Sequence, residues 1–206
     1  MGSDVTLQLL LIRHGETEWS RVGRHTGRTN LALTDVGRQE AVDVARTLHD
    51  WPIDRVYSSP LARARETADL SGFGSVVRVD DRLVEWDYGI YEGQRTAETR
   101  VTIPDWSVWT HPIVDGESVD EVGDRADAFL DTVEREVGNG NAAVFAHGHV
   151  LAILIARWCG LAAIEGRRFA LATATVSLLG AHREDRVVRA LNHRCGDRLH
   201  PPARVL

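Results

Sequence analysis

The sequence predicts an α/β sandwich built on a mostly parallel sheet, and three observations carry that prediction. Short apolar runs at 7–12, 55–57, 76–79 and 142–146 read as buried strands. Stretches with apolar residues at helical spacing fall between them, and strands alternating with helices make layered α/β folds. Two of the runs end in the same pair, His14-Gly15 and His147-Gly148. In open α/β sheets the carboxyl ends of strands are where ligands bind.

The elements follow in order. Leu7, Leu9, Leu10, Leu11 and Ile12 enclose one glutamine and form the first strand, which runs into Arg13, His14 and Gly15. The polar stretch 20–30 reads as a loop over that strand end. Thr34 is a good N-cap, and Ala41, Val42, Ala45 and Leu48 predict an amphipathic helix over 35–50, closed by Pro52. Arg55-Val56-Tyr57 forms a second strand ending in Ser58-Ser59. Ser59 is expected to cap the next helix with Pro60 at its first position, and Arg63 follows about one turn in. A third strand is expected at 76–79.

Residues 86–116 break this rhythm. With Trp86, Trp106, Trp109, Pro104, Pro112 and Gly116 they read as an insert or lid, and the alternative use of the patch is a homodimer contact. Ser118 and Glu121 fit a capping box, followed by a long amphipathic helix through Val122, Ala126, Phe129, Leu130, Val133 and Val137. A turn at 138–141 leads to the strand at 142–146. An apolar helix over 150–160, strands near 173–181 and 186–192, and an irregular tail from Gly196 complete the reading.

A chain of 206 residues fits one domain, and 43% apolar with 26% charged residues is ordinary for a globular protein. No run is long enough to span a bilayer and no signal-peptide pattern appears. Met1-Gly2-Ser3 opens a formal myristoylation match, read as chance. Cys159 and Cys195 suggest a reducing, cytoplasmic setting rather than a disulfide framework. A net charge of −6 argues against nucleic acid as a partner. It also opposes long-range capture of anions, so any phosphate site must rely on local arginines.

Five motifs stand in sequence: Arg13-His14-Gly15-Glu16-Thr17, then Tyr57 to Ala68 with Arg63 at its centre, then Glu85 to Gly93, then Gly116-Glu117-Ser118, then Ala146-His147-Gly148. In this order and spacing the chain resembles the histidine phosphatase superfamily, in the branch containing cofactor-dependent phosphoglycerate mutases and related phosphatases. The resemblance implies a three-layer, phosphoglycerate mutase-like sandwich with a mixed sheet, a single domain over 1–206, and a site at the strands' carboxyl ends.

On the residues themselves, two imidazoles with Arg13 and Arg63 make a cationic pocket. A zinc reading of His14, His147 and Glu85 is disfavoured, because the arginines would repel the ion and no His-x-x-x-His or cysteine pair is present. Neither metal nor cofactor is expected. Arginine forks suit a phosphoryl group, and a neutral histidine with one nitrogen tied down can attack it. The resemblance implies that His14 carries a phosphohistidine and that Arg13, Arg63, His147 and the Gly148 amide clamp the phosphate. It implies Glu85 as general acid, then base, on its place in the matching stretch with Gly89 and Gly93. Ser20 stands where many relatives have an asparagine on phosphate, and with Thr26 and Gly27 it is a candidate substrate contact. Glu16 and Thr17 are expected to orient the histidine loop.

The function expected is hydrolysis of small organic phosphomonoesters. The alternatives are a cofactor-dependent phosphoglycerate mutase and a catalytically idle phosphate-binding protein. The mutases carry paired arginines in a longer insert after the glycine-rich stretch, whereas 94–115 here has Arg95 and Arg100 only, with Ile103, Trp106, Val108 and Trp109. That apolar segment favours varied organic phosphates over the mutase.

Overall fold

The computed structural model describes residues 7–194. The formal myristoylation match, Cys195 and the tail from Gly196 lie outside the described residues.

Strand β1 (Gln8–Arg13) is followed by a one-turn helix α1 (Glu18–Arg21) and by α2 (Asp35–Leu48). Then come β2 (Arg55–Ser58), α3 (Ala62–Leu70), β3 (Arg78–Val79), the short α4 (Thr96–Thr99) and α5 (Val119–Val137). Strand β4 (Asn141–Ala146), α6 (Gly148–Trp158), β5 (Val176–His182) and β6 (Asp185–His193) complete the fold. The six strands form one sheet in the order β3-β2-β4-β1-β5-β6. β3, β2, β4 and β1 run parallel, β5 adds antiparallel to β1, and β6 adds antiparallel to β5. The mixed α/β fold is the expected one.

Period-2 alternation along β1 builds the three layers. Leu9 and Leu11 pack on one face with Phe129, Val133, Leu151 and Leu154 of α5 and α6. Leu10 and Ile12 pack on the other with Val44, Leu48 and Ala68 of α2 and α3. Both faces of the sheet are therefore apolar, which is why the strand reads as a continuous hydrophobic run.

Two local expectations are corrected. The strand expected at 76–79 pairs only over Arg78–Val79, at the sheet's edge with both residues exposed, so nothing extends it. Helix α3 starts two residues after Pro60, and Ser59 does not cap it; the Ala62 amide donates instead to Asn30 Oδ1 at 2.7 Å, from the loop after α1. Segment 86–116, read as an insert or lid, is mostly irregular apart from α4. Trp86, Tyr88, Tyr91, Trp106, Val108 and Ile113 belong to the core on the α5/α6 side, so burial overrides the segment's lack of regular structure. Gly89, at φ +50°, is tied to that packing, because a Cβ there would lie 1.9 Å from the Val114 carbonyl oxygen.

Candidate active site

The sheet brings the two histidine loops together. Arg13 at the end of β1 stands in register with Ala146 at the end of β4, and the His14 amide donates to the Ala146 carbonyl at 3.0 Å. The His14 and His147 rings lie 5.2 Å apart between centroids, tilted by 58°. Beside them opens a cavity of about 340 Å³.

His14 is buried, and its Nδ1 lies 2.7 Å from the carbonyl oxygen of Gly15. A carbonyl only accepts, so Nδ1 carries the proton and Nε2 keeps its lone pair. Burial, then the charges of Arg13 and Arg63, hold the His14 pKa well below its usual value, so the ring is neutral. The loop that presents it is clamped on three sides. The Gly15 amide donates to Thr67 Oγ1 of α3 at 3.0 Å, and the Glu16 amide donates to Glu40 of α2 at 2.8 Å. Gly15 also meets Gly37 of α2, where a Cβ on either residue would clash with backbone oxygen. Glu16 and Thr17 do orient this loop: Glu16 binds Thr34 through its carboxylate, and Thr17 caps α1.

Arg13 lines the cavity and donates through its terminal nitrogen to the Leu171 carbonyl, while its buried Nε has no hydrogen-bond partner. A buried cationic donor without an acceptor is costly, and an acceptor brought to this nitrogen would relieve that cost. Gly148 opens α6 within close reach of it, since a Cβ there would sit 3.4 Å from the Arg13 guanidinium carbon. An anion there would meet Arg13 and the amino end of α6 together.

Glu85 is 5% exposed and lines the same cavity. Its Oε1 accepts from the amides of Trp86 and Val150, both at 2.9 Å, and its Oε2 accepts from the His149 amide at 3.0 Å. Two of these donors are in the first turn of α6, so the carboxylate is moored to the same helix end as Gly148. Oε2, with one partner, is the oxygen with lone-pair capacity to spare.

Arg63 and His147 sit behind this wall and not in it. Both are fully buried. Arg63 Nε donates to His147 Nδ1 at 3.0 Å, and its terminal nitrogens donate to the carbonyls of Thr26, Gly27 and Thr29. His147 Nε2 meets Ser59 Oγ at 2.8 Å, which is what occupies the serine expected to cap α3. Their charge and rings are next to His14, but their hydrogen bonds are spent on protein. Among the other sequence candidates, Ser20 and Thr26 line the cavity, although Ser20 Oγ is engaged with the Thr17 backbone. Gly27 does not reach it as a donor, because its amide is taken by the Glu92 carboxylate. Trp109 is on the wall, whereas Trp106 is fully buried against His25 and Tyr91.

Sequence reasoning missed several contributors. Thr67, Tyr88 and Glu92 stood inside the motifs without a role, and Glu92 pins the 26–30 loop by accepting from Gly27 and Thr29. Arg24, Arg167, Phe169 and Leu171 line the cavity from segments whose sequence carries no motif, so no signal was available for them.

Comparison with known proteins agrees with this geometry. The chain matches the histidine phosphatase superfamily (branch 1) over residues 9–194. It belongs to that superfamily. An acid phosphatase of Mycobacterium tuberculosis is 43% identical over 84% of this chain and 86% of its own length. A sedoheptulose 1,7-bisphosphatase of Saccharomyces cerevisiae is 34% identical over 76% of this chain and 69% of its own. A solved structure of an open reading frame product from M. tuberculosis superposes with a TM-score of 0.86 at 41% identity, covering 91% of this chain and 97% of the other. In this histidine phosphatase the superfamily's fold and its paired His-Gly loops are both present.

Proposed function

We propose that this histidine phosphatase hydrolyses phosphomonoesters of small organic molecules through a phosphohistidine at His14. The observation that carries the reading is the fixed tautomer of a neutral, buried His14 beside the unpartnered Nε of Arg13. The two relatives named above, both phosphatases, support it.

In the first step the Nε2 lone pair forms the N–P bond as the ester P–O bond breaks, and Glu85 delivers a proton from Oε2 to the departing alkoxide. In the second, Glu85 takes a proton from water as the water oxygen bonds phosphorus and the N–P bond breaks, releasing inorganic phosphate. Proton transfer of this kind contributes roughly 10²–10⁴ in rate. Arg13 and the amide at Gly148 hold the phosphoryl oxygens. Arg63 acts from behind, by its charge and by fixing His147.

The cationic pocket makes metal unnecessary for charge neutralisation, so activity persists in EDTA. The enzyme works in the cytoplasm, on a small molecule, without nucleic acid or membrane as partner. Among the described residues no helix is long and apolar enough to cross a membrane. The mutase is disfavoured because neither arginine of 94–115 lines the cavity: Arg95 pairs with Glu98, and Arg100 donates to the Trp106 carbonyl.

The test is release of phosphate from p-nitrophenyl phosphate, with acid-labile phosphate trapped on the enzyme after rapid acid quench, for wild type and His14→Ala. Turnover and label present in wild type and absent in the variant are expected. Turnover surviving in the variant overturns the mechanism. Absence of turnover in wild type means an idle binding protein, and conversion of 3- to 2-phosphoglycerate faster than phosphate release means a mutase.

A further inference from the structure

Tyr88 and His149 form a pair that the mechanism above does not use. The Tyr88 hydroxyl meets His149 Nδ1 at 2.5 Å. Tyr88 is 1% exposed, and burial, then the Glu85 charge, push its pKa well up, so it stays a phenol. Its proton has no other described acceptor. Donation to Nδ1 satisfies it, whereas the opposite arrangement would leave a buried hydroxyl proton unpaired. Nδ1 is thus an acceptor, and the proton of a neutral ring must be on Nε2. His149 is indeed neutral, because burial lowers its pKa. No described protein group hydrogen-bonds Nε2, and His149 lines the cavity.

The surroundings of this donor are aromatic. The His149 ring packs edge-on against Trp86, Tyr88 and Trp109 at 5.1–6.0 Å and lies 6.1 Å from His25. Its own backbone amide holds Glu85 Oε2, the oxygen that serves the leaving group. One residue therefore positions the acid with its backbone and extends a ring on the leaving-group side. A single fixed polar donor in an aromatic wall is how pockets orient a ligand.

Resting on the phosphatase reading, we propose that His149, oriented by Tyr88, is the specificity-determining residue. Its Nε2–H donates to an oxygen on the leaving group close to the ester, while Trp109 covers the carbon skeleton. The substrate class is then the phosphorylated polyol, sugar or hydroxy acid, in preference to simple alkyl phosphates. A site built to hydrogen-bond a substrate oxygen discriminates strongly against analogues lacking it.

The test compares kcat/KM for glycerol 1-phosphate and n-propyl phosphate, which differ in hydroxyls at constant skeleton, with p-nitrophenyl phosphate as the reporter of bare chemistry. In wild type the glycerol ester should be favoured over the propyl ester by roughly 10-fold or more. His149→Phe, which keeps an aromatic ring without the donor, should bring that ratio close to one. Tyr88→Phe, which frees Nδ1 and lets the ring change tautomer or turn, should lower the ratio part of the way. Melting temperatures identify a variant that fails to fold. The wild-type ratio stands even then, and a ratio near one in wild type overturns the proposal without any variant. A ratio that survives in folded His149→Phe, or a loss equal on all three esters, overturns it while leaving the phosphatase reading intact. No hydrolysis of any ester by wild type overturns both.

Discussion

Arg63 Nε donates to Nδ1 of His147 across 3.0 Å, and both residues are fully buried. That bond makes His147 Nδ1 an acceptor and leaves its Nε2–H for Ser59. It also holds the Arg63 guanidinium flat against the 26–29 carbonyls. A positive charge is thereby fixed behind the nucleophile at no exposure to water.

Arg63→Met should remove that charge and strand four acceptors, the His147 nitrogen and three carbonyls. Leaving buried acceptors unsatisfied costs roughly 1–3 kcal/mol each. The variant should melt well below wild type, and kcat should fall by roughly 10²–10³ if the charge serves the transition state. Measured kcat within a factor of three of wild type, in folded protein, would rule out the electrostatic role.

Thr67 links the two halves of this arrangement. Its Oγ1 accepts from the Gly15 amide and donates to the Arg63 carbonyl at 2.7 Å. Thr67→Val keeps the shape and removes both bonds, so the peptide that follows the nucleophile loses its anchor. The expected result is a drop in kcat of about 10-fold with little change in KM, and recovery with Thr67→Ser. Equal changes in both variants would make Thr67 a packing residue only.

How much of this was legible in the sequence follows from what each signal encodes. The strand at 9–12 declares itself as a continuous apolar run because both its faces are buried, the helix at 119–137 because one-sided burial imposes a period, and the His-Gly pairs because two parallel strands end there. What stayed hidden depends on distance in sequence. Asn30, not Ser59, takes the Ala62 amide, because α3 begins later than Pro60 and Ser59 Oγ is shared between the Leu61 amide and a histidine 88 residues away. Gly27 loses its amide to Glu92 by the same kind of long-range competition. The tryptophans of 86–116 were visible as apolar mass, but only the packing says that Trp106 goes in and Trp109 goes to the wall.

Acid should destabilise the enzyme through its buried histidines. His14 and His147 have pKa values held well below normal by burial, and His25 is lowered to about 4, again chiefly by burial. The unfolded chain takes up these protons near pH 6.5, so between that value and about 4 the unfolded state binds more protons. Stability is therefore full above pH 6.5 and falls as the pH drops through this window. Chemical unfolding at pH 7.5, 6 and 4.5 measures it. The nucleophile stays neutral throughout, so kcat/KM should show no acid-side loss centred near 6.5. An unfolding free energy that rises on acidification would contradict the sign.

The two tryptophans of 86–116 should separate stability from specificity. Trp106 is fully buried in the core, and its indole N–H has no partner. Trp106→Ala should cost about 3–5 kcal/mol through lost burial and the cavity left behind. Trp106→Phe should cost much less, because no hydrogen bond is lost. Trp109 is half-buried, edge-on to Trp86 and His149, and lines the cavity. Trp109→Ala should leave the melting temperature nearly unchanged and raise KM more for aryl and sugar phosphates than for the smallest alkyl ester. Its kcat should move little, since uniform binding is what is removed. Thermal melts and kinetics on the three esters decide both cases. Equal melting losses in Trp106→Ala and Trp109→Ala, with KM shifting alike for every ester, would make the whole segment structural and remove Trp109 from the substrate wall.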